Sequence, residues 1–466
     1  MDPQDPRPTL SRSLGLAPEL SPQPGSKRVF LRTFGCQMND YDSGKLRALL
    51  AKDGYATTDE MGEADLIIVN TCSVREKPEQ KLHSFLGEAF AVKRRRGGRA
   101  TVAVAGCVAQ QEGEKLLARY RELDLVFGPD AVPGIVAMVE ASKRAPVVDT
   151  QFLEASDYVF ADELDPTAKE RVSAFVTIQK GCDNKCTFCI VPMTRGPELS
   201  RPSGDILTEV RALAAGSVRE ITLIGQNVNS YGLKVDGEKT FAELLYAVAA
   251  VPGVERIRYT TSHPRDMGDD VVQAYRDLPQ LTSHLHLPVQ SGSDRVLRRM
   301  KRFYTRDRYR ELVHALREAR PDLALSTDVI VGFPGETDED FEETLSLLDE
   351  LRFHTSFSFK YSPRPNTSAL KLLEREEAVP EEVAQARLLR FQERQRIISL
   401  EENQRMEGQV YPLLVEGPSR HDEGVLCGRT STFKMVNFPG DLSLVGQTVP
   451  VRVTRAFTNS LRGEPV

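Results

Sequence analysis

The pattern of apolar and polar positions differs along the chain and divides it into several regions. Between residues 27 and 145, short apolar runs alternate with polar stretches of helical period, and the clearest runs are VFLRTF, DLIIVNT and TVAVAG. Strands that are apolar on both faces and are each followed by a helix are typical of a parallel sheet with helices on both sides. This region is therefore predicted to be an open parallel α/β sheet.

Residues 168–400 repeat the strand–helix rhythm with six apolar runs. The candidate strands are residues 173–180, 220–225, 256–262, 283–290, 323–332 and 355–362. Thr337 with Asp340 three residues later, before FEETLSLL, is typical of a helix start. Six such units predict a partial, six-stranded (β/α) barrel rather than a second flat sheet. The chemistry of such barrels lies at the carboxyl ends of the strands.

The two ends of the chain differ from this pattern. Residues 403–466 contain short β-like runs, such as GQVYPLLVEG and TVPVRVTRAF, which are broken by Gly and Pro. Such a segment predicts a small all-β barrel. Residues 1–26 are rich in Pro, Ser and polar residues and are expected to be a disordered leader. The whole chain is predicted to be an α/β multidomain protein.

Composition and charge narrow the class of protein. The chain has 466 residues, of which 40% are hydrophobic and 27% charged, and its net charge is −6. These values suit a soluble protein of several domains, in which any RNA contact comes from local patches. No apolar run approaches the ~20 residues that cross a bilayer. We therefore expect a cytoplasmic protein without a membrane partner, whose cysteines serve metals or catalysis rather than disulfides.

Three of the seven cysteines follow the three strands of the first region. Cys36, Cys72 and Cys107 recur 36 and then 35 residues apart. If the three strands are neighbours in the sheet, these thiols meet at the edge where open α/β sheets bind ligands. The alternative is three unrelated buried cysteines. Cys427, in the β-rich region, is expected to be structural.

Three further cysteines form a CxxxCxxC loop directly after the first barrel strand: Cys182, Cys186 and Cys189. Three thiolates can hold three irons of a cubane cluster and leave the fourth iron open. An open metal position is typical of a catalytic site, and S-adenosylmethionine can chelate it through its amino and carboxylate groups. A zinc knuckle is the alternative, although no His follows at zinc-finger spacing.

This loop and its neighbouring segments resemble the methylthiotransferase branch of the radical S-adenosylmethionine superfamily. The segments that carry the resemblance occur together and in order: TFGCQMNDYDSGKL, NTCSVREKPEQKL, GCDNKCTFCIVPMTRGPELSR, LPVQSGSDRVLRRMKRFYT and VGFPGETDEDFEETL. The resemblance implies a methylthiotransferase N-terminal domain at 27–145 and a radical SAM core at 168–400. It also implies an RNA-binding TRAM domain at 403–466.

The resemblance further implies two 4Fe-4S clusters and S-adenosylmethionine as cofactors. Cys36, Cys72 and Cys107 would bind an auxiliary cluster, and Cys182, Cys186 and Cys189 the cluster that cleaves the cofactor. Gly225, Gln226 and Asn227 follow the second barrel strand, where superfamily members often carry a Gly-Gly-Glu that binds the cofactor's amino group. Because this sequence departs from that motif, a cofactor role and an ordinary polar loop both remain open for these three residues.

The implied reaction replaces the hydrogen at carbon 2 of N6-isopentenyladenosine, next to the anticodon in tRNA, with a methylthio group. One S-adenosylmethionine would methylate a sulfur on the auxiliary cluster, and a second would yield the radical that abstracts the hydrogen. The implied partners are the tRNA anticodon stem-loop and an electron donor such as flavodoxin or ferredoxin, with the protein acting as a monomer. The cofactors carry this chemistry, so we nominate no general acid or base.

Two related reactions and one different class of protein remain as alternatives. Within the branch, the substrate could be threonylcarbamoyladenosine in tRNA or an aspartate of a ribosomal protein, although GCQMN favours isopentenyladenosine. Outside it, the chain could be a non-catalytic iron–sulfur protein that binds RNA.

Several other residues have candidate roles that the pattern alone does not settle. The basic run at 93–99 could meet phosphates or be a solvated turn. Phe433, Phe438 and Phe457 could stack on bases, although at least one is expected in a core. Three histidines near strand ends are expected to pack or to hydrogen-bond rather than to bind metal: His263, His284 and His286. Residues 332–336 are expected to form a structural turn, because the Gly-Lys-Ser/Thr ending of a phosphate loop is absent.

Overall fold

The computed structural model describes residues 26–466 apart from 74, 75, 155, 156, 161, 162, 376, 420, 421 and 423, and it leaves out the side chains of 76–80. The predicted leader lies outside the described residues except for its last position. Within the described part, no helix has the length and apolar character that a membrane span needs.

The N-terminal region is an open, six-stranded sheet whose strands are all parallel. Its spatial order is β2-β1-β3-β4-β5-β6. The strands are β1 (Lys27–Phe34), β2 (Tyr55–Thr57), β3 (Leu66–Thr71), β4 (Thr101–Gly106), β5 (Leu125–Phe127) and β6 (Val147–Asp149). The three strands that precede cysteines, β1, β3 and β4, are neighbours. The adjacency that the sequence argument required is therefore confirmed.

Helices cover both faces of this sheet. They are α1 (Gln37–Lys52), α2 (Glu76–Arg95), α3 (Cys107–Glu112), α4 (Glu114–Arg119) and α5 (Ile135–Ser142). In β3, Ile67 and Val69 pack with the core beneath α2, while Leu66 and Ile68 pack with the core beneath α1 and α5. Alternate side chains of one strand thus enter two different cores, which is why the strand is apolar throughout.

The central region contains six parallel strands in two halves of three. Their orders are β11-β10-β7 and β12-β13-β14, and a bridge from Ile257 to Leu281 joins the halves. The strands are β7 (Ser173–Thr177), β10 (Glu220–Ile224), β11 (Arg256–Tyr259), β12 (His284–His286), β13 (Ala324–Val331) and β14 (Thr355–Lys360). A short antiparallel pair follows β7, namely β8 (Gln179–Lys180) and β9 (Leu199–Ser200). This arc confirms the predicted partial six-stranded barrel.

Helices surround the outside of the barrel. They are α6 (Val191–Arg195), α7 (Ser203–Ala214), α8 (Phe241–Ala249), α9 (Asp269–Asp277), α10 (Asp294–Arg299), α11 (Arg306–Ala319), α12 (Asp338–Leu351), α13 (Leu370–Leu373) and α14 (Glu381–Gln404). Ile221, Leu223 and Leu285 face them in one large apolar core. Thr337 accepts a hydrogen bond from the amide of Asp340 at the start of α12, which is the predicted capping box.

The C-terminal region is a small, closed β-barrel with the order β15-β16-β17-β19-β18. Its strands are β15 (Val410–Pro418), β16 (Val425–Arg429), β17 (Met435–Pro439), β18 (Thr448–Ala456) and β19 (Leu461–Pro465). It docks beneath the larger barrel, at the amino ends of the strands. Arg256 donates to the carbonyl oxygen of Arg429 at 2.6 Å, and Arg258 donates to that of Thr430 at 3.1 Å. The loop at 430–434 thereby lies under the base of the larger barrel.

Candidate metal and cofactor site

Three strand ends bring Cys36, Cys72 and Cys107 together at the carboxyl edge of the N-terminal sheet. Cys36 caps the start of α1, Cys72 directly follows β3, and Cys107 opens α3. Two buried amides fix this edge, because the side chain of Asn39 donates to Asn70 Oδ1 at 2.9 Å and Asn70 donates back to the Asn39 carbonyl oxygen at 2.9 Å. We call these three cysteines the sheet trio.

The thiols of the sheet trio are close enough to hydrogen-bond to one another. A hydrogen bond from Cys72 lowers the pKa of Cys36 to about 6 and that of Cys107 to about 6. The pKa of Cys72 is instead raised well above its usual value. The hydrogen bond with Cys107 is the largest cause, and the one with Cys36 is the next. The positive charge of the nearby Arg195 guanidinium lowers the pKa of Cys36 and that of Cys107 further. Cys36 and Cys107 therefore favour the thiolate form at neutral pH, whereas Cys72 keeps its proton.

The second group of thiols lies on the single loop between β8 and α6. We call Cys182, Cys186 and Cys189 the loop trio. Gly181, just before the loop, has φ +71°, and a Cβ there would overlap the carbonyl oxygens of Gly196 and Pro197. The amide of Cys182 donates to the Gly196 carbonyl oxygen at 3.2 Å, which closes the loop. The backbone alone thus holds the three thiols near one another.

Burial dominates the electrostatics of the loop trio. It raises the pKa of Cys182 to about 11 and that of Cys189 to about 12. Arg302 is itself buried and donates to Cys186 Sγ at 3.4 Å, so one thiol of this trio has a cationic partner. Phe188, within the loop, packs against a small apolar cluster that contains Phe333. The 332–336 turn therefore supports the loop, in agreement with its predicted structural role.

A buried, charged seam joins the N-terminal sheet to the barrel between the two trios. Arg195, the last residue of α6, pairs with Asp42 of α1 at 2.7 Å. Lys180, just before the cysteine loop, pairs with Asp130 at 2.6 Å. A third contact buries Glu209 of α7 between Arg201, Lys45 and the Tyr41 hydroxyl group. These buried contacts tie the segment that carries the loop trio to the sheet that carries the sheet trio.

At the carboxyl end of β10 lie Gly225, Gln226 and Asn227. Strand β10 pairs with β7, the barrel strand that precedes the cysteine loop. Gly225 packs against Gln179, and the Asn227 side chain donates to Asp266 at 2.7 Å. Three buried side-chain oxygens here have no hydrogen-bond partner among the described residues: Gln179 Oε1, Gln226 Oε1 and Asn227 Oδ1. Buried acceptors are nearly always satisfied, so these oxygens suit a ligand that brings hydrogen-bond donors, as an ammonium group does.

The lumen of the barrel is accessible on the β13–β14 side. Strand pairing places Asp328 beside Phe357 and Ile330 beside Phe359, all facing away from the helices. Phe359 is 36% exposed, and the side chain of Asp328 is 30% exposed. The His286 ring contacts two of these residues: its Nε2 lies 3.5 Å from the Asp328 carboxylate, and the ring is edge-on to Phe357. We call Asp328, Ile330, Phe357 and Phe359 the lumen wall.

The other sequence candidates have ordinary packing roles. His263 accepts from the amide of Arg265, and burial lowers its pKa to about 3, while His284 stacks on Phe433 with ring centroids 4.9 Å apart. Phe438 is buried in the C-terminal core, and Phe457 is 40% exposed. The Cys427 thiol donates to the Pro418 carbonyl oxygen.

Carboxylates neutralise much of the basic run at residues 93–99. Lys93 pairs with Asp124, Arg94 with Glu122 and Arg96 with Asp65.

The donor sets of both trios suit iron–sulfur clusters. A cubane accepts each thiolate on a different iron, so its ligands need not converge on one point. Each trio supplies three thiols and a neighbouring guanidinium, Arg195 or Arg302. Sequence reasoning missed both arginines, although PMTRG follows the cysteine loop directly.

Three family models match the chain in the order of its regions. They are the uncharacterized protein family UPF0004 at residues 28–128, the radical SAM superfamily at 176–348 and the TRAM domain at 404–466. Among solved structures, the fold is similar to that of the radical S-adenosylmethionine methyltransferase TsrM from Kitasatospora setae, with a TM-score of 0.55 and 15% identity over 86% of this chain and 80% of that chain. The fold and its cysteine loop define a radical S-adenosylmethionine enzyme, a class that uses a 4Fe-4S cluster together with S-adenosylmethionine.

Whole-length relatives narrow this class. The chain is 51% identical over 451 residues to a protein from Anaeromyxobacter dehalogenans (strain 2CP-C), with 96% of each chain covered. It is 50% identical over 443 residues to one from Myxococcus xanthus (strain DK1622), with 94% of each covered. Both relatives are named tRNA-2-methylthio-N(6)-dimethylallyladenosine synthase, and the chain belongs to this family of methylthiotransferases.

Proposed function

We propose that the protein replaces the hydrogen at carbon 2 of N6-isopentenyladenosine, next to the anticodon in tRNA, with a methylthio group. The observation that carries the proposal is the pair of cysteine trios whose segments one buried seam ties together, in a chain of this family. When bound, two 4Fe-4S clusters and S-adenosylmethionine would pass on an electron from an external donor and would supply the radical, the methyl group and a place for the sulfur that receives it. The protein's own residues bind these groups, orient them and shield them from water.

Each group of site residues has a distinct part in this proposal. The sheet trio would hold the auxiliary cluster, and the loop trio the cluster beside S-adenosylmethionine. Gln226 and Asn227, whose buried oxygens need donors, would receive the cofactor's amino group. Arg302 would keep a positive charge against the Cys186 thiolate. A charged donor to a ligating sulfur stabilises the thiolate form and orients the ligand.

The lumen wall fits an adenine that carries an apolar substituent. Phe357 and Phe359 offer faces for a base and its isopentenyl group, and base–aromatic stacking is worth about 1–3 kcal/mol. Asp328 can accept a hydrogen bond from the N6–H of adenine. A threonylcarbamoyl group brings its own carboxylate, which would be repelled by Asp328 and poorly solvated against the phenylalanines. The wall therefore supports the isopentenylated substrate over the threonylcarbamoylated one.

The remaining alternatives have less support. An aspartate of a ribosomal protein does not match the names of the relatives, and a TRAM domain suggests an RNA substrate. A non-catalytic RNA-binding protein would leave the three unsatisfied oxygens near β10 without a purpose. A tRNA anticodon stem-loop as the bound RNA, reduction by a flavodoxin or ferredoxin, and action as a monomer in the cytoplasm belong to the same proposal.

Anaerobic turnover tests this function directly. The full chain, reconstituted with iron and sulfide, is given dithionite, S-adenosylmethionine and an anticodon stem-loop that contains isopentenyladenosine. Mass spectrometry should detect 5′-deoxyadenosine and the 2-methylthio nucleoside with its isopentenyl group retained. A stem-loop with threonylcarbamoyladenosine should stay unmodified. Absence of 5′-deoxyadenosine with every substrate would contradict the enzymatic proposal, and modification of only the second stem-loop would contradict the substrate.

Replacing the lumen phenylalanines tests the substrate subsite. We expect Phe357→Ala and Phe359→Ala each to raise KM for the stem-loop roughly 5- to 100-fold, because a stacking face is lost. Cleavage of S-adenosylmethionine without RNA should be unchanged. Tyr246→Ala, which removes an aromatic side chain 38% exposed on the outer helix α8, is the control. Equal effects of all three variants would exclude the lumen wall as the subsite.

A further inference from the structure

Arg195 belongs to the radical half of the chain but lies near the thiols of the other half. It ends α6, a helix that starts two residues after Cys189, and the carbonyl oxygen of the next residue, Gly196, accepts from the Cys182 amide. Its own side chain crosses the seam and pairs with Asp42 at 2.7 Å, beside α3, the helix that Cys107 opens. The segment that carries the loop trio thus reaches the sheet trio through one side chain.

The surroundings hold this guanidinium in place. Only 6% of the Arg195 side chain is exposed, against 16% for Asp42, so little water competes for its hydrogen bonds. Helix α6 packs directly against α3, the helix that Cys107 opens. Breaking a buried ion pair is costly because it leaves the other charge uncompensated, whereas an intact pair mainly specifies geometry. The pair is therefore suited to positioning rather than to stabilising the fold.

We propose that Arg195 is a positioning residue that fixes the sheet trio relative to the loop trio and sets the reduction potential of the cluster that the sheet trio binds. The inference rests on the proposed function, since it assumes a cluster at the sheet trio. A positive charge close to a cluster favours its more negative, reduced state, and the net charge around a cluster is a recognised determinant of its potential. Asp42 opposes this effect and also orients the guanidinium.

Because Arg195 and Asp42 carry opposite charges, replacing each with a neutral residue should shift the midpoint potential in opposite directions. Arg195→Gln removes a positive charge and should lower the midpoint potential of the cluster. Asp42→Asn removes a negative charge from the same site and should raise it. At a fixed applied potential, each change should alter the ratio of reduced to oxidised cluster about tenfold or more, since unit charges a few ångströms apart interact by several kcal/mol in a protein. Loosened packing would move both variants in one direction.

The measurement uses the full chain with Cys182, Cys186 and Cys189 replaced by Ala, so that only the sheet trio's cluster contributes. An electron paramagnetic resonance titration then gives the midpoint potential of each variant. Arg47→Gln is the control, because it breaks an ion pair of the same kind, with Asp165 at 2.7 Å, on the same helix α1. Arg47→Gln should leave the potential unchanged. Shifts of equal sign in Arg195→Gln and Asp42→Asn, or no shift in either, would overturn the proposal.

Two further measurements of iron content apply if a variant loses the cluster. If Arg195→Gln binds no iron, Arg195→Lys should bind iron normally and keep the midpoint potential, since it retains the charge. Loss of iron from both variants would overturn the charge-based role. The parent with the three alanines should itself contain about four irons. If this parent binds none, the two-cluster function fails before Arg195 is tested, which separates the two failures.

Discussion

The two cysteine trios each bring three thiols together, but by different routes. The sheet trio comes from the ends of three neighbouring strands, so its members meet only when the whole N-terminal sheet has formed. The loop trio lies on one short segment that two glycine-dependent backbone contacts close. In the sheet trio, shared hydrogen bonds favour the thiolate form of Cys36 and Cys107, whereas in the loop trio burial keeps Cys182 and Cys189 protonated in the metal-free protein.

This difference would allow one chain to keep the two proposed clusters apart in function. A site made by long-range contacts depends on the stability of its domain, while a site made by a loop depends on local backbone conformation. Different thiol pKa values also give the two sites different requirements for metal uptake, since the thiolate is the form that binds metal.

Replacing each trio by alanine should have the largest effect. We expect either triple replacement to lower the iron content from about eight to about four per chain. Loss of the loop trio should abolish 5′-deoxyadenosine formation. Loss of the sheet trio should preserve it but abolish transfer of the methylthio group. Iron analysis and product mass spectrometry check both, and a sheet-trio variant that releases no 5′-deoxyadenosine would break the proposed division of labour.

In each trio at least one cysteine directly follows a glycine, so a single Gly→Ala substitution can be made beside each trio. These substitutions should have smaller effects than the triple replacements. Gly106 has φ +90°, and a Cβ there would lie 2.8 Å from the Thr71 carbonyl oxygen, while Gly181 is confined in a similar way. We expect Gly106→Ala to deplete the iron of the sheet trio and Gly181→Ala to impair 5′-deoxyadenosine formation, each selectively.

Gly237→Ala controls for backbone strain alone. Gly237 also has positive φ, but nothing lies within 4 Å of an added Cβ. A left-handed alanine costs about 1–2 kcal/mol, which should lower stability without removing either cluster. Loss of both clusters from Gly106→Ala and from Gly181→Ala would show that the two sites are not independent.

The thiol pKa values predict different titrations of the metal-free protein. Cys36 and Cys107 have folded pKa values of about 6, below the usual value, so their thiolates are present above pH 6 and are lost as the pH falls through it. Cys182 and Cys189, raised to about 11 and about 12, should stay protonated until strongly alkaline pH. Ultraviolet thiolate absorbance of the two triple-alanine variants should separate these transitions. Coincident titrations would contradict the comparison.

Arg302→Lys should have the smallest effect. Lysine keeps the positive charge near Cys186 but loses the planar fork that also reaches the Pro288 carbonyl oxygen. We expect the rate of 5′-deoxyadenosine formation to fall about two- to fivefold, with the iron content unchanged. A change in the midpoint potential of the sheet trio's cluster would contradict the assignment of this arginine to the loop trio.

The amino-acid pattern predicted the parts of the site that depend on periodicity. Apolar runs before Cys36, Cys72 and Cys107 indicated parallel strands, but their adjacent order was a condition of the argument, which the structure then met. The CxxxCxxC loop was visible because its ligands are contiguous. Assignment of the six cysteines to clusters, and the domain boundaries, stay predictions.

Contacts across interfaces could not be predicted in this way. Nothing in the sequence around Arg195 indicates that its side chain crosses to α1, because the relative placement of two domains is not encoded in local periodicity. Phe433 was a candidate for stacking on RNA, yet it lies against His284 and between the guanidinium groups of Arg258 and Arg429. Such roles follow only from tertiary packing.

The docking of the C-terminal domain beneath the large barrel separates that domain from the mouth of the barrel by the length of the barrel strands. Strand β13 has 8 residues, so at ~3.3 Å per residue it is about 25 Å long, and the tilt of barrel strands makes the height of the barrel somewhat less. If the small domain holds the RNA, as proposed, that RNA would have to extend along the flank for most of this length before one of its nucleotides could turn inward. Oligonucleotides too short to cover that length would then bind at one of the two places only.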